Sequence, residues 1–188
     1  KKIYLVTSLG TTSNKQESFV KDQLSQKVKL CSISLKNRPI TKKTRFVDSS
    51  YMRKMFEVYE MDDSPIDKEE ERKIISIIKE NITKVDLIIV TDFGHGLLSK
   101  KIIEEISKFK VFLAVNAQTN SANRGYNLIT KYRSADYICI DEPEFRLAMH
   151  DKNSSLEKLL TNTKKLPKAK IFIVTTGKNG CLLKIKNK

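Results

Sequence analysis

Val85-Asp86-Leu87-Ile88-Ile89-Val90-Thr91-Asp92-Phe93-Gly94-His95-Gly96 is the stretch that decides the fold class. A continuous apolar run ends in a polar, glycine-bearing turn, as expected of a strand buried on both faces where it leaves its sheet. The pattern recurs. Strands are expected at 85–91, 111–116, 137–140, 170–175 and 181–186, and helices at 99–109, 142–149 and 154–164. Upstream, Ile3 to Thr7 reads as a short buried strand, Asn14 to Gln26 as a helix, and Val28 to Leu35 as a half-buried alternating strand. Thr44 to Asp48 and Met55 to Glu60 are expected to pair as a hairpin apart from the main core. Asp67 to Asn81 reads as an amphipathic helix whose buried stripe is Ile74, Ile75, Ile77 and Ile78. Apolar strands alternating with helices specify an α/β class, a mostly parallel sheet with helices on both faces.

Composition narrows the choices. With 188 residues, 39% apolar and 31% charged, and only 6 Gly and 4 Pro, the chain is neither collagen-like nor disordered. No apolar run approaches a membrane span, so no membrane partner is expected. Ile3 to Val6 is too brief for the core of a secretory signal, which suggests a cytoplasmic location, and Lys rather than Met stands first. Cys31, Cys139 and Cys181 have no CxxC pairing and no histidine cluster, and are expected to be buried free thiols. The net charge of +14 invites a nucleic-acid reading, but 29 of the 36 basic residues are lysine, dispersed and without interleaved aromatics. Base edges and phosphate forks favour the planar guanidinium, so a nucleic-acid partner is disfavoured; a basic cleft for a small anion fits the same charge.

Ligands of open α/β sheets lie beyond the carboxyl ends of strands. Four such places carry polar or glycine-rich sequence. Thr91 to Gly96 contains Asp92, which either faces a ligand cleft or caps the helical region after it, and Gly94 and Gly96, which permit a tight turn. Asn116-Ala117-Gln118 comes after the second strand. Asp141-x-x-Glu144 has the form of a capping box, and two carboxylates at a strand end also suit Mg²⁺ beside substrate phosphates. Thr175-x-Gly177-x-x-Gly180 offers either a hairpin turn at Asn179-Gly180 or a close backbone approach for a nucleotide. In the hairpin, Lys43 and Arg45 share one face, as an ordinary charged edge or as a phosphate contact.

In this order the segments resemble the PfkB (ribokinase-like) carbohydrate kinases, and most of all the kinase domain of bifunctional heptose-phosphate kinase/adenylyltransferases. Pro39 to Phe46 is similar to that group's lid, where a KxR pattern meets the sugar phosphate. Val90 to Leu98 is similar to its S-D-Y-x-K-G segment, with His95 in the place of the lysine. Val115 to Gln118 stands where those kinases have V-D-P-K, Asp141 to Glu144 where the family has N-x-x-E, and Val174 to Gly180 resembles its T-x-G-x-x-G turn.

The resemblance implies a ribokinase-like three-layer sandwich with a small β lid at about residues 36–62, the whole chain being part of one kinase domain, incomplete at both ends. It implies ATP and Mg²⁺ as cofactors. Thr175, Gly177 and Gly180 would meet the nucleotide, Lys43, Arg45, Asp92 and Asn116 the sugar or sugar phosphate, and Asp141 and Glu144 the metal. The family's catalytic aspartate, in a G-A-G-D motif, is expected beyond Lys188, so the residues at hand are expected not to turn over alone. A fused nucleotidyltransferase domain and a homodimer through the lid are implied in the parent protein. The alternative from a different class is a non-catalytic nucleotide- or sugar-binding α/β module.

Overall fold

The computed structural model describes residues 2–11 and 14–186. The chain divides into two compact units, Lys1–Asn81 and Ile82–Lys188.

In the first unit β1 (Ile3–Gly10) and β2 (Val28–Leu35) run parallel, in register from Ile3 opposite Val28 to Gly10 opposite Leu35. The chain passes between them through α1 (Asn14–Gln23), which ends before the expected Gln26. A separate antiparallel hairpin, β3 (Lys42–Asp48) with β4 (Arg53–Glu60), lies where the alternation placed it. Its turn is built by Asp48, whose Oδ1 accepts the Ser50 and Tyr51 amides. Phe46 and Phe56 stack across it with ring centroids 4.4 Å apart, yet both rings remain exposed. The last element, α2 (Lys68–Asn81), packs against β1 and β2 through buried Ile74 and Ile75. Asp67 starts this helix: its Oδ1 accepts the Glu69 and Glu70 amides, and Glu70 Oε2 accepts the Asp67 amide in return.

The second unit contains one sheet in the order β5 (Leu87–Asp92), β6 (Phe112–Ala117), β7 (Ser134–Asp141), β8 (Lys168–Thr175), β9 (Cys181–Ile185). The first four strands are parallel and β9 is antiparallel to β8. Helices α3 (Lys100–Ile106), α4 (Glu142–Met149) and α5 (Leu156–Thr161) complete it. β7 begins three residues before the expected Tyr137, because Asp136 is tolerated inside the sheet. Its carboxylate accepts the Leu113 amide on one side and pairs with Lys170 on the other, stitching β6, β7 and β8 together. α3 and α5 stop short of the expected 109 and 164. The Ser107 hydroxyl turns back onto the Ile103 carbonyl, and a single 3-10 turn, Thr163–Lys165, comes after α5.

Burial alternates towards the carboxyl ends of the parallel strands of this sheet. Val90, Leu113, Val115, Ile138, Ile140, Phe172 and Val174 are buried. This is the helix-covered face, since Phe145 of α4 meets Phe172 with centroids 5.8 Å apart and Lys184 Nζ donates to the Leu160 carbonyl of α5. The opposite face keeps Ile89 at 66% and Ile185 at 59% of full exposure, with Leu87, Phe112 and Leu183 also exposed. Helices α4 and α5 both contact the buried face. Cys181 is exposed on the edge strand and Cys31 and Cys139 are half-buried, so the thiols are free but not core groups. No helix among the described residues is long and apolar enough to cross a membrane.

This one-sided burial sets an expectation for stability. Phe145→Ala, at a fully buried site, should lower the unfolding free energy of the second unit by about 3–5 kcal/mol. Leu183→Ser on the open face should change it by less than about 0.5 kcal/mol. Urea unfolding followed by circular dichroism measures both, and comparable losses would contradict the assignment of faces.

Candidate functional site

The carboxyl edge of the second unit's sheet is where the sequence and the structure concentrate polar chemistry. Strand parity divides the expected site residues. Asn116 pairs with Thr91, and Asp141 with Thr175, on the face that stays open. Asp92 pairs with Ala117 on the helix-covered face and is 3% exposed. Its carboxylate accepts the Gly94 amide at 3.0 Å, the Tyr132 hydroxyl at 2.6 Å and Asn127 Nδ2 at 3.3 Å, and Lys131 Nζ lies 2.5 Å away. Burial first, and then the Asp92 charge, push the Tyr132 phenol far up, so it stays a neutral donor. Asp92 is thus a buried anchor for the segments after β5 and β6.

Four asparagines spaced by three or four residues build the loop after β6. Asn116 Nδ2 donates to the Cys139 carbonyl, tying β6 to β7. Asn120 Oδ1 accepts the Ala122 and Asn123 amides, and Asn123 Oδ1 accepts the Asn120 amide. Asn123 Nδ2 donates to the Phe93 carbonyl at 2.9 Å, and Asn127 Nδ2 donates to the carbonyls of Asp92 and Gln118. A Cβ on Gly94, whose φ is +70°, would stand 2.4 Å from Asn123 Nδ2, so only glycine lets the two loops close on each other. Reading motif by motif missed Thr119, Asn120, Asn123, Asn127, Lys131 and Tyr132. The asparagine spacing was the available signal.

At the next strand end Asp141 and Glu144 form a complete capping box. Asp141 Oδ1 accepts the Glu144 amide at 2.8 Å, Glu144 Oε2 accepts the Asp141 amide at 3.0 Å, and Glu144 Oε1 reaches across to the Thr119 amide at 3.0 Å. Burial is the main cause that raises the Glu144 carboxyl above the ordinary range, with the Asp141 charge acting the same way. Among the described residues no group of three or more His, Cys, Asp or Glu is arranged to hold a metal.

Between β8 and β9 the connection is a 3-10 turn, Gly177–Asn179, closed by Thr176, whose amide and hydroxyl both donate to the Gly180 carbonyl. Gly177 and Gly180 have φ of +61° and +96°, and open space surrounds the Cβ position of each. Thr175, Gly177 and Gly180 therefore present accessible backbone beside Asp141.

Lys43 and Arg45 belong to the first unit. Both point at Glu57 on β4, at 3.5 Å and 2.7 Å, and Lys54 lies 3.4 Å from its other oxygen. The Tyr59 hydroxyl donates to Glu57 at 2.9 Å. Chiefly through the Arg45 hydrogen bond, the Glu57 carboxyl is held down to about 2. One carboxylate thus gathers three cations, and the cluster keeps a net positive charge.

No family model matches the chain. Bifunctional protein HldE of Wolinella succinogenes is 26% identical over 151 residues, which is 79% of this chain and 31% of that protein. Bifunctional protein HldE of Aliarcobacter butzleri is 26% identical over 164 residues, 84% of this chain and 33% of its own length. The chain thus spans about a third of the length of these curated relatives. Among solved structures, ribokinase from Giardia lamblia superposes with a TM-score of 0.70 at 14% identity, covering 98% of this chain and 56% of that one. Escherichia coli phosphofructokinase-2 in complex with fructose-6-phosphate gives 0.69 at 12% identity, covering 100% and 61%. With a fold shared almost from end to end, the chain has the ribokinase-like fold and is similar in sequence to the bifunctional HldE proteins.

Proposed function

We infer that this chain is part of an ATP-dependent carbohydrate kinase acting on a sugar or sugar phosphate, of which a heptose phosphate is the leading candidate. The observation that carries the reading is the gathering of Asn116, Asp141, Glu144 and the Thr175–Gly180 turn at one edge of a ribokinase-like sheet. The HldE relatives support it, and their designation as bifunctional supports a fused second activity, a nucleotidyltransferase, in the parent protein.

Each group has a part. The open backbone at Gly177 and Gly180 receives the nucleotide phosphates, with Thr175 beside them. In the first unit Lys43 and Arg45 are offered to an anionic group, and in the second Asn116 is offered to a hydroxyl. Asp92 acts by positioning, because its carboxylate is already engaged by Gly94, Asn127, Lys131 and Tyr132.

Mg²⁺ fits Asp141 and Glu144 only through water and the phosphates, since both carboxylates already accept backbone amides, and bound there it would neutralise phosphate charge. In the reaction a sugar hydroxyl attacks the γ-phosphorus, ADP departs, and the hydroxyl proton passes to a carboxylate. The carboxylates of this edge are committed to donors. That favours a second reading for these residues taken alone, a module that binds nucleotide and sugar without transferring phosphate. The exposed Phe46–Phe56 face of the hairpin supports pairing of two copies through the lid. A chain that consumes ATP on metabolic sugars is placed in the cytoplasm.

Calorimetric titration with ATP, with and without Mg²⁺, tests the reading directly. Binding strengthened by Mg²⁺ is expected, and no binding at millimolar ATP would sink it. Glu144→Gln should weaken Mg-ATP at least about tenfold, while the lost amide contact lowers stability by about 1–3 kcal/mol. If stability falls and Mg-ATP affinity does not, Glu144 is a helix cap and nothing more.

The lid gives a pH expectation. The Glu57 carboxyl is held at about 2, against 4.5 in the unfolded chain, so its contribution to the hairpin is present above about pH 4.5 and is lost as pH falls towards 2. Carboxyl chemical shifts followed from pH 6 to pH 2 should show Glu57 titrating last among the hairpin acids. A midpoint near 4.5 would mean that the three cations do not act on it.

A further inference from the structure

His95 belongs to the loop after β5 and meets Asn120 of the loop after β6, which sets its ring chemistry. Asn120 Nδ2 lies 3.3 Å from His95 Nε2. The amide cannot be turned round, because Asn120 Oδ1 already accepts the Ala122 amide at 2.9 Å and the Asn123 amide at 3.1 Å, while Nδ2 also faces the Phe93 carbonyl at 3.3 Å. An amide nitrogen only donates, so Nε2 must accept, and the ring proton is placed on Nδ1. Phe93 stacks beside the imidazole with centroids 6.0 Å apart. Among the described residues the ring has no further hydrogen-bond partner. The half-buried imidazole therefore turns Nε2 to Asn120 and keeps the Nδ1 N–H to offer.

We propose that His95 is a specificity-determining residue, fixed by Asn120 as the neutral Nδ1–H tautomer, that donates one hydrogen bond to an uncharged oxygen of the carbohydrate. The assignment rests on the carbohydrate reading above and adds the nature of the group recognised. At this position the kinases that the sequence resembles carry a lysine, whose ammonium would attract an anionic group. A neutral donor gives no such attraction, so the ligand presents a hydroxyl or ring oxygen there, and any phosphate it bears lies elsewhere. Asn120 is the positioning residue: without its amide, no other hydrogen bond among the described residues selects between the two ring nitrogens.

Two measurements on the whole chain test this. Long-range ¹H–¹⁵N spectra of the imidazoles should show His95 protonated on Nδ1 at neutral pH, and a tautomer mixture in Asn120→Ala. Finding the proton on Nε2 in the unaltered chain overturns the proposal without any ligand. The second measurement titrates the chain, its nucleotide site filled with a non-hydrolysable ATP analogue, with ribose, fructose, mannose and their phosphate monoesters. The best-bound sugar should lose about tenfold in affinity with His95→Leu, and within about threefold with His95→Gln, which keeps a neutral donor. His95→Lys should move preference towards ligands with a second anionic group. If sugars bind and His95→Leu leaves them unchanged, the assignment fails while the carbohydrate reading stands. If the analogue binds and no sugar does, both fail, and a nucleotide-binding module remains.

Discussion

The Asp92 carboxylate, 3% exposed at the end of β5, is the interaction on which the rest of the site depends. A buried charge persists only where partners replace its lost hydration, and here they come from three places in the chain: Gly94 just after it, Asn127 in the next loop, and Lys131 and Tyr132 before β7. Satisfying one anion therefore fixes the departure of the chain from β5 and the path of the loop after β6. Among the described residues of this unit the buried polar ones, Asp92, Asn123, Asn127 and Glu144, all lie at this one edge. The remaining buried positions of its sheet are apolar and could exchange with similar side chains; these four cannot.

Strand parity explains why the edge is both anchored and accessible. Residues 91 and 116 face one way and 92 and 117 the other. One parity holds the anchor under the helices, and the other leaves Asn116, Asp141 and Thr175 on the open side. A shift of one residue in the β5–β6 register would exchange those roles, placing Asp92 in solvent and Thr91 in the core. The register is thus specified twice, by the apolar face below and by the buried carboxylate at the top.

Much of this was legible in the sequence. The strand ends, the hairpin, the capping box at Asp141 and Glu144 and the shared face of Lys43 and Arg45 all follow from periodicities of two and 3.6 and from short-range hydrogen bonding. Contacts between distant segments were not legible. Nothing local says that Thr119 reaches Glu144, that Asp136 can stand inside a sheet because Leu113 and Lys170 receive it, or that Asp92 turns under the helices. Nor does local sequence separate the exposed Leu87, Ile89 and Leu183 from their buried neighbours, which are as apolar. Periodicity reports that both faces are apolar, and only the fold says which one is covered.

Glu57, Asp92, Asp141 and Glu144 share a further property: each is engaged before any ligand arrives. Glu57 gathers Lys43, Arg45 and Lys54; Asp141 and Glu144 hold the start of α4; Asp92 holds two loops. Groups fixed in this way need little reorganisation when charge approaches, which is the condition under which electrostatic stabilisation is most effective. Truncating such a residue removes a structural bond together with any role in binding, and loss of activity alone would not separate the two. Separation requires substitutions that keep one role, as glutamine for Glu144 keeps an acceptor for one amide while removing the charge, or glutamine for His95 keeps a neutral donor while removing the ring. The part this edge plays is therefore read most clearly from near-isosteric changes, because the atoms offered to a ligand already carry structural hydrogen bonds.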